Sequence, residues 1–342
     1  MTTQKPSIDL IVPCYNEALS MPELMQRMLA VCGDTEAEFN IIAVDDGSSD
    51  GTFEAWQTEA QKQAVIGIRV IRFSRNFGKE IAISCGLQNS HGDAAIVMDA
   101  DMQDPPELIP EMLQQWQEGF DSVIAVRSNR DSDSAMKRFT AKAFYSLMGR
   151  IADIDLPHQA GDFRLLSARL VLALNAYPER TRFMKGLFAS LGFKQKLIHF
   201  ERVARNQGKS SFGFWKLWNF ALDGITSFSS LPLRIWGYFG FLLAFTGFLY
   251  AIYIIVRTII FGVDLPGYPS ILVFILFFSG IQLISIGVLG EYIGRLFTEV
   301  KQRPMYLVSE SFGFEKDDEP GPLPPDMNPR RMNKPSEVMG SE

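Results

Sequence analysis

The chain has 342 residues, 47% hydrophobic and 21% charged, which is enough apolar material for more than one folding unit and excludes a disordered chain. A formal net charge of -6 excludes a general nucleic-acid binder, which needs surplus Lys and Arg to neutralise phosphates. Cys14, Cys32 and Cys85 show neither C-x-x-C nor zinc spacing, so they read as buried packing residues in a reducing compartment.

The polar start, Met1 to Ser7, lacks the apolar stretch of a secretory signal, so the first domain is expected to stay on the side where it is made. Residues 8–12, 40–44, 68–73, 94–98 and 122–126 are short β-branched or apolar runs, each followed by a polar turn and a stretch of helical spacing. That alternation predicts an α/β domain with a mostly parallel sheet wrapped by helices. Such sheets bind ligands beyond the carboxyl ends of their strands, so the turns after the runs are where chemistry is expected. They read Pro13-Cys-Tyr-Asn-Glu17, Asp45-Asp-Gly-Ser-Ser-Asp-Gly51, Ser74-Arg-Asn-Phe-Gly-Lys79 and Asp99-Ala-Asp-Met-Gln-Asp-Pro-Pro106.

Asp99 and Asp101, separated by one residue at a strand end, point to the same side of the sheet. With a diphosphate they can share a hard divalent cation such as Mg²⁺ or Mn²⁺. An EF-hand starting at Asp99 fails, because its sixth place is Asp104 rather than Gly and its twelfth is Pro110 rather than Glu. Asp104 before Pro105 reads as a helix start. Asp45 and Asp46 suit hydrogen bonds to a base or ribose, with a plain turn as the alternative. Neither G-x-G-x-x-G nor G-x-x-x-x-G-K-[ST] occurs, which removes the main warrant for a dinucleotide enzyme or a P-loop nucleotidase. Lys79 either contacts phosphate or caps its own loop.

Charge is absent from residues 235–256 and again from 270–290, and each run at 1.5 Å per residue can cross a hydrocarbon core of about 30 Å. Two membrane-spanning helices are expected, joined over 257–269 into an antiparallel hairpin. Lys209, Lys216 and Arg234 before the hairpin, and Arg295, Lys301 and Arg303 after it, place both flanks in the cytoplasm. The aromatics Phe212, Phe214, Trp215, Trp218, Phe220 and Phe228 favour a helix lying in the headgroup layer over one packed on a domain. Ser279, Gly280, Gly287, Gly290 and Gly294 offer small faces for close helix packing, so a homo-oligomer is expected. The proline-rich end beyond Glu315 cannot pack a core and is expected to be disordered.

Val12-Pro-Cys-Tyr-Asn-Glu17, Val44-Asp-Asp-Gly-Ser-Ser-Asp-Gly-Thr52, Arg75-Asn-Phe-Gly-Lys79 and Asp99-Ala-Asp-Met-Gln-Asp-Pro-Pro-Glu107, with a hairpin behind them, resemble the family-2 glycosyltransferases that charge polyprenyl phosphate. The bactoprenol glucosyltransferases are the nearer likeness and the dolichol-phosphate mannose synthases the more distant. The resemblance runs over about residues 7–305. It implies a cytoplasmic nucleotide-sugar-binding GT-A domain at 1–210, an interfacial region at 211–233, a transmembrane hairpin at 234–297, a membrane-proximal segment at 298–315 and a disordered tail at 316–342. It also implies Mg²⁺ or Mn²⁺ and an inverting transfer of one sugar to polyprenyl phosphate at the inner membrane, with the catalytic domain and both termini cytoplasmic.

UDP-glucose is the expected donor, with GDP-mannose, UDP-galactose or a UDP-modified arabinose as alternatives and an inactive membrane scaffold as a further one. A flippase is disfavoured, since two spans enclose no pathway without oligomerisation. The Q-x-x-R-W of processive synthases is absent, which favours a single transfer. By the same resemblance Pro13, Tyr15, Glu17 and Asp45, assisted by Asp46, line the nucleoside pocket, and Lys79 belongs to the donor site. Asp99, Asp101 and Gln103 surround the metal and diphosphate, and Arg205 contacts the diphosphate. Asp162 lies near the sugar, as a positioning group or base, unless it simply pairs with Arg164. Arg127 and Arg138 hold the lipid phosphate, unless they are solvated charges.

Overall fold

In the computed structural model the five apolar runs become β1 (Ser7–Cys14), β2 (Glu38–Asp45), β3 (Gly67–Phe73), β4 (Ala94–Val97) and β5 (Ser122–Arg127). The structure describes residues 5–62, 66–127, 160–180, 182, 184–200, 231–262, 267–314 and 320. Three further strands were not evident from periodicity: β6 (Ala160–Ser167), β7 (Gln195–Phe200) and β8 (Val308–Phe312). Together they form one sheet in the order β7-β5-β6-β4-β1-β2-β3-β8, in which only β6 and β8 run against the other strands. The fold is therefore the mostly parallel, GT-A-like α/β fold that was expected.

Among the described residues, helices α1 (Met21–Gly33), α2 (Thr52–Lys62), α3 (Lys79–Gln88), α4 (Ile109–Gln117), α5 (Ala168–Ala176) and α6 (Met184–Ser190) belong to this unit. Alternation along the strands sorts the core into two layers. Ile8, Leu10, Val12, Ile41 and Ala43 pack with Leu24, Met28 and Trp56 from the helices on one face. Ile42, Val44, Ile71 and Phe73 pack with Ala82, Cys85 and Tyr306 on the other. Burial on both faces explains why the central strands are nearly continuous apolar runs rather than alternating ones. All three cysteines are free and buried, and burial pushes the Cys32 and Cys85 thiols up to about 12, as inert packing residues require.

Strand β8 lies in the segment expected to be only membrane-proximal. It pairs antiparallel with β3. The Ser74 amide donates to Leu307 O at 2.9 Å. Just before β8, Tyr306 is buried, stacks on Phe73 at 4.9 Å between centroids and donates its hydroxyl to Gln88 Oε1 at 2.9 Å. Residues 302–314 thus belong to the same unit as the sheet.

The second unit holds two long helices, α7 (Leu231–Phe261) and α8 (Tyr268–Lys301), over the two uncharged runs. Tyr238, Phe241 and Ile259 on α7 and Leu283, Ile286 and Val300 on α8 are each at least 63% exposed, a surface that water does not favour. Among the described residues one stretch, Phe277–Lys301, is long and apolar enough to cross a membrane; Trp236–Tyr250 is apolar over a shorter length. One qualifying span stands where two were expected. The interfacial region expected at 211–233 lies largely outside the described residues, as does the tail at 316–342.

Candidate functional site

Because β6 is antiparallel to both β4 and β5, its first residues lie at the edge where β4 and β5 end. That edge collects the turns singled out by the sequence, and they are knitted together by side chains. The Asn16 amide donates to Ser48 Oγ at 2.9 Å, the Glu17 amide to Thr52 Oγ1 at 3.0 Å and the Ala18 amide to Asp50 Oδ2 at 3.1 Å. Gly47, at φ +73°, lies so close to the third turn that an added Cβ would sit 2.5 Å from the Arg75 carbonyl carbon.

Asp45 and Asp46, adjacent in sequence, serve different ends. Asp46 accepts the Phe77 amide at 2.6 Å and the Gly78 amide at 2.9 Å, so both its oxygens hold the turn that leads into α3. Asp45 Oδ1 accepts the Ser48 amide at 2.9 Å, while Oδ2 is out of solvent without a hydrogen bond, 3.7 Å from Arg72 Nε. Burial raises the pKa of both carboxyls, opposed at Asp45 by Ser48 and Arg72 and at Asp46 by the Phe77 and Gly78 amides. Pro13 is buried in β1 opposite Val44, Tyr15 is 48% exposed, and Glu17 Oε2 accepts the Ser20 hydroxyl at 2.6 Å.

Lys79, the first residue of α3, pairs with two carboxylates. Its Nζ lies 2.6 Å and 2.7 Å from the two oxygens of Asp99 and 2.6 Å from Asp162 Oδ2. The contact to Asp99 Oδ1 is close but poorly directed, and that oxygen is buried without a hydrogen bond. Burial tends to lower the Lys79 pKa, but Asp99 and then Asp162 overcome it and hold the ammonium above its ordinary range. Asp99 is pushed up by burial, only partly offset by Lys79.

The loop closes on itself through Asp104, whose Oδ2 accepts the Asp99 amide at 3.1 Å. The short helical turn that follows, Pro106–Leu108, has no side-chain cap, so Asp104 supports Asp99 rather than starting a helix. Burial and the nearby Asp99 charge raise its carboxyl to about 7. Asp101 Oδ1 accepts the Gln103 amide at 3.1 Å, which leaves further lone pairs on its carboxylate. Asp162 is on β6, two residues before Arg164, which is buried, donates to Gly161 O at 2.7 Å and lies 4.1 Å over the Phe188 ring. Burial lowers the Arg164 guanidinium to about 10, partly offset by Asp162 and Glu80.

The Asp99 carboxylate, whose Oδ1 has an ion pair to Lys79 but no hydrogen bond, and the half-used carboxylate of Asp101 fit a hard divalent cation by donor chemistry. Among the described residues no three or more acidic, His or Cys side chains converge as a complete metal cage, so a bound cation would need oxygens from a ligand such as a diphosphate. Arg127 ends β5 at the same edge as Asp99. Arg138 and Arg205 lie outside the described residues. The sequence reading missed the supporting role of Asp104 and the pairing of Lys79. The third acid of Asp99-Ala-Asp-Met-Gln-Asp was the available signal for the first. No local signal existed for the second, which joins positions 20 and 83 residues apart.

Residues 9–173 match the family model described as glycosyl transferase family 2, and residues 231–296 match the GtrB C-terminal hairpin. The chain is 47% identical over 312 residues to the uncharacterized glycosyltransferase sll0501 of Synechocystis, covering 90% of this chain and 96% of that protein. It is 43% identical over 304 residues to the SfII prophage-derived bactoprenol glucosyl transferase of Shigella flexneri, covering 89% of this chain and 98% of that one. The prophage bactoprenol glucosyl transferase homolog of Escherichia coli is 44% identical over 301 residues, covering 88% and 98%. Among solved structures, mannosyl-3-phosphoglycerate synthase from Rubrobacter xylanophilus aligns with TM-score 0.46 and 18% identity over 68% of this chain and 75% of that chain.

Proposed function

The chain belongs to glycosyl transferase family 2, and from that premise we propose that it transfers one glucose, with inversion, from UDP-glucose to polyprenyl phosphate. The observation that carries this reading is the 43% identity to a bactoprenol glucosyl transferase along 98% of that protein, hairpin region included. The acidic centre at the carboxyl edge of the sheet supports it. The membrane reading is an inner-membrane protein with α7 and α8 as an antiparallel pair of spans and the sheet unit in the cytoplasm. Pairing of copies through the open faces of Gly280, Gly287 and Gly290, where an added Cβ would meet nothing within 4 Å, belongs to the same reading.

In the proposed mechanism a lipid phosphate oxygen attacks the anomeric carbon, a new C–O bond forms on the face opposite the leaving group, and the bond to the UDP diphosphate breaks. A phosphate monoester, with a second pKa of about 6, is already ionised near neutrality and needs no strong base. Catalysis then rests on position and charge. Asp99 and Asp101 would hold Mg²⁺ or Mn²⁺, which when bound neutralises charge on the departing diphosphate. Gln103 completes that loop, and Arg205 adds a guanidinium fork to the leaving group. Arg127 and Arg138 hold the attacking phosphate, Asp162 orients a sugar hydroxyl, and Tyr15, Glu17, Pro13 and Asp45 border the nucleoside.

Full-length protein in detergent, given undecaprenyl phosphate and radiolabelled UDP-glucose, should place label in the organic extract. GDP-mannose, UDP-galactose and a UDP-modified arabinose run in parallel should give less. Labelling from another donor in preference would replace glucose, and labelling from none would overturn the reading.

A further inference from the structure

Lys79 occupies an unlikely place for a cation, the first residue of a helix, where the macrodipole disfavours positive charge. What holds it there is a pair of carboxylates from two neighbouring strands: Asp99 following β4 and Asp162 on β6, both within 2.7 Å of Nζ. The oxygens it occupies on Asp99 are the ones a divalent cation would need. An ammonium and a metal ion cannot share them, since like charges at contact distance repel strongly in a half-buried site.

We propose that Lys79 is the resident counter-ion of the Asp99–Asp162 pair, so that a divalent cation alone competes with it, and that the donor diphosphate, by taking the ammonium, couples metal binding to donor binding. This rests on the reading of the site as one for a metal-bound nucleotide sugar. The side chain suits an exchange of partners. Lysine is a compact charge on a flexible four-carbon stem, and that of Lys79 is 41% exposed, so it can leave the pair without disturbing the sheet. A diphosphate offers it charge-assisted hydrogen bonds equivalent to those it gives up. Turn geometry keeps the ammonium near: Asp46 fixes the Phe77 and Gly78 amides directly before it. The consequence is reciprocal, because if UDP tightens Mn²⁺ binding, Mn²⁺ must tighten UDP binding by the same factor.

The test is Mn²⁺ binding to full-length protein, read from the EPR signal of free Mn²⁺ with and without saturating UDP. In the natural protein UDP should tighten Mn²⁺ binding at least tenfold. Lys79→Met should bind Mn²⁺ alone at least tenfold more tightly than the natural protein, and the gain from UDP should shrink at least threefold. Lys79→Arg, which keeps the charge, should stay weak without UDP. Lys79→Gln takes the place of Lys79→Met should the latter fail to fold. Unchanged Mn²⁺ affinity in the charge-removing variant, or an undiminished gain from UDP, overturns the proposal. An enzyme that transfers sugar normally while Mn²⁺ binding ignores Lys79 would overturn this inference alone. Absent transfer with the Mn²⁺ pattern intact would overturn the functional reading alone.

Discussion

Asp9 and Asp99 belong to neighbouring strands of one sheet, lie at its opposite edges, and are satisfied in opposite ways. Asp9, at the amino edge, is buried and its Oδ2 accepts the Ser90 hydroxyl and the His91 and Gly92 amides at 2.7–2.9 Å. Asp99, at the carboxyl edge, leans on the movable ammonium of Lys79 and leaves one buried oxygen without a hydrogen bond. A carboxylate fixed by backbone donors anchors a loop, whereas one fixed by a flexible side chain can change partners. On the proposal made above, the amino edge serves stability and the carboxyl edge exchange, at the end of the strands where α/β sheets place their ligands.

Substitutions can break that contrast. The largest effect is expected at the carboxyl edge: Asp101→Asn should cut transfer about a thousandfold, about 4 kcal/mol of transition-state stabilisation, with little change in melting temperature. Near-normal turnover in saturating Mg²⁺ or Mn²⁺ would remove Asp101 from the metal. At the amino edge the pattern should invert. Asp9→Ala strands the three donors on Oδ2 and removes the partner of the Arg69 guanidinium at Oδ1, so denaturant melts should show a loss of about 3 kcal/mol, while kcat per folded molecule holds.

Asp46 sits at the carboxyl edge yet is saturated like Asp9, and it sharpens the rule. Asp46→Asn should cost about 2 kcal/mol of stability, because the Phe77 and Gly78 amides donate to different oxygens and the substitution turns one of these into an NH2 donor. A purely catalytic defect with an unchanged melt would show that edge position, not saturation, decides the role. A smaller change is expected at the lipid phosphate: Arg127→Ala should raise the acceptor KM about tenfold and leave the UDP-sugar Kd alone. An unchanged acceptor KM would return Arg127 to a solvated charge, worth less than about 1 kcal/mol.

The smallest effect concerns pH at the amino edge. Burial tends to raise the Asp121 carboxyl, but Arg169 and Ser167 overcome it and hold it below the ordinary carboxylate range. A depressed carboxyl stabilises the fold above its unfolded pKa, and that contribution fades as pH falls through the folded value. Arg169→Ala should therefore lower the melting temperature slightly at pH 7 and progressively less as the medium is acidified below about pH 4. A difference that persists undiminished in acid would assign the effect to packing rather than to the ion pair.

The α/β class, the first five strands, the turns that carry chemistry and the two long apolar helices are legible in the amino-acid string, because each is written locally as a period, a breaker or a run. It also carried the family resemblance, through four ordered motifs that need no folding to be read. Tertiary structure decided the rest. Strand β8 is five residues with three polar side chains, and only the open edge of β3 makes it a strand. Asp45 and Asp46 are identical neighbours in the string, yet one anchors the turn before Lys79 while the other keeps a buried oxygen unbonded. Lys79 finds Asp99 and Asp162 only because β4 and β6 are adjacent, and charge acts through space, where sequence separation carries no weight.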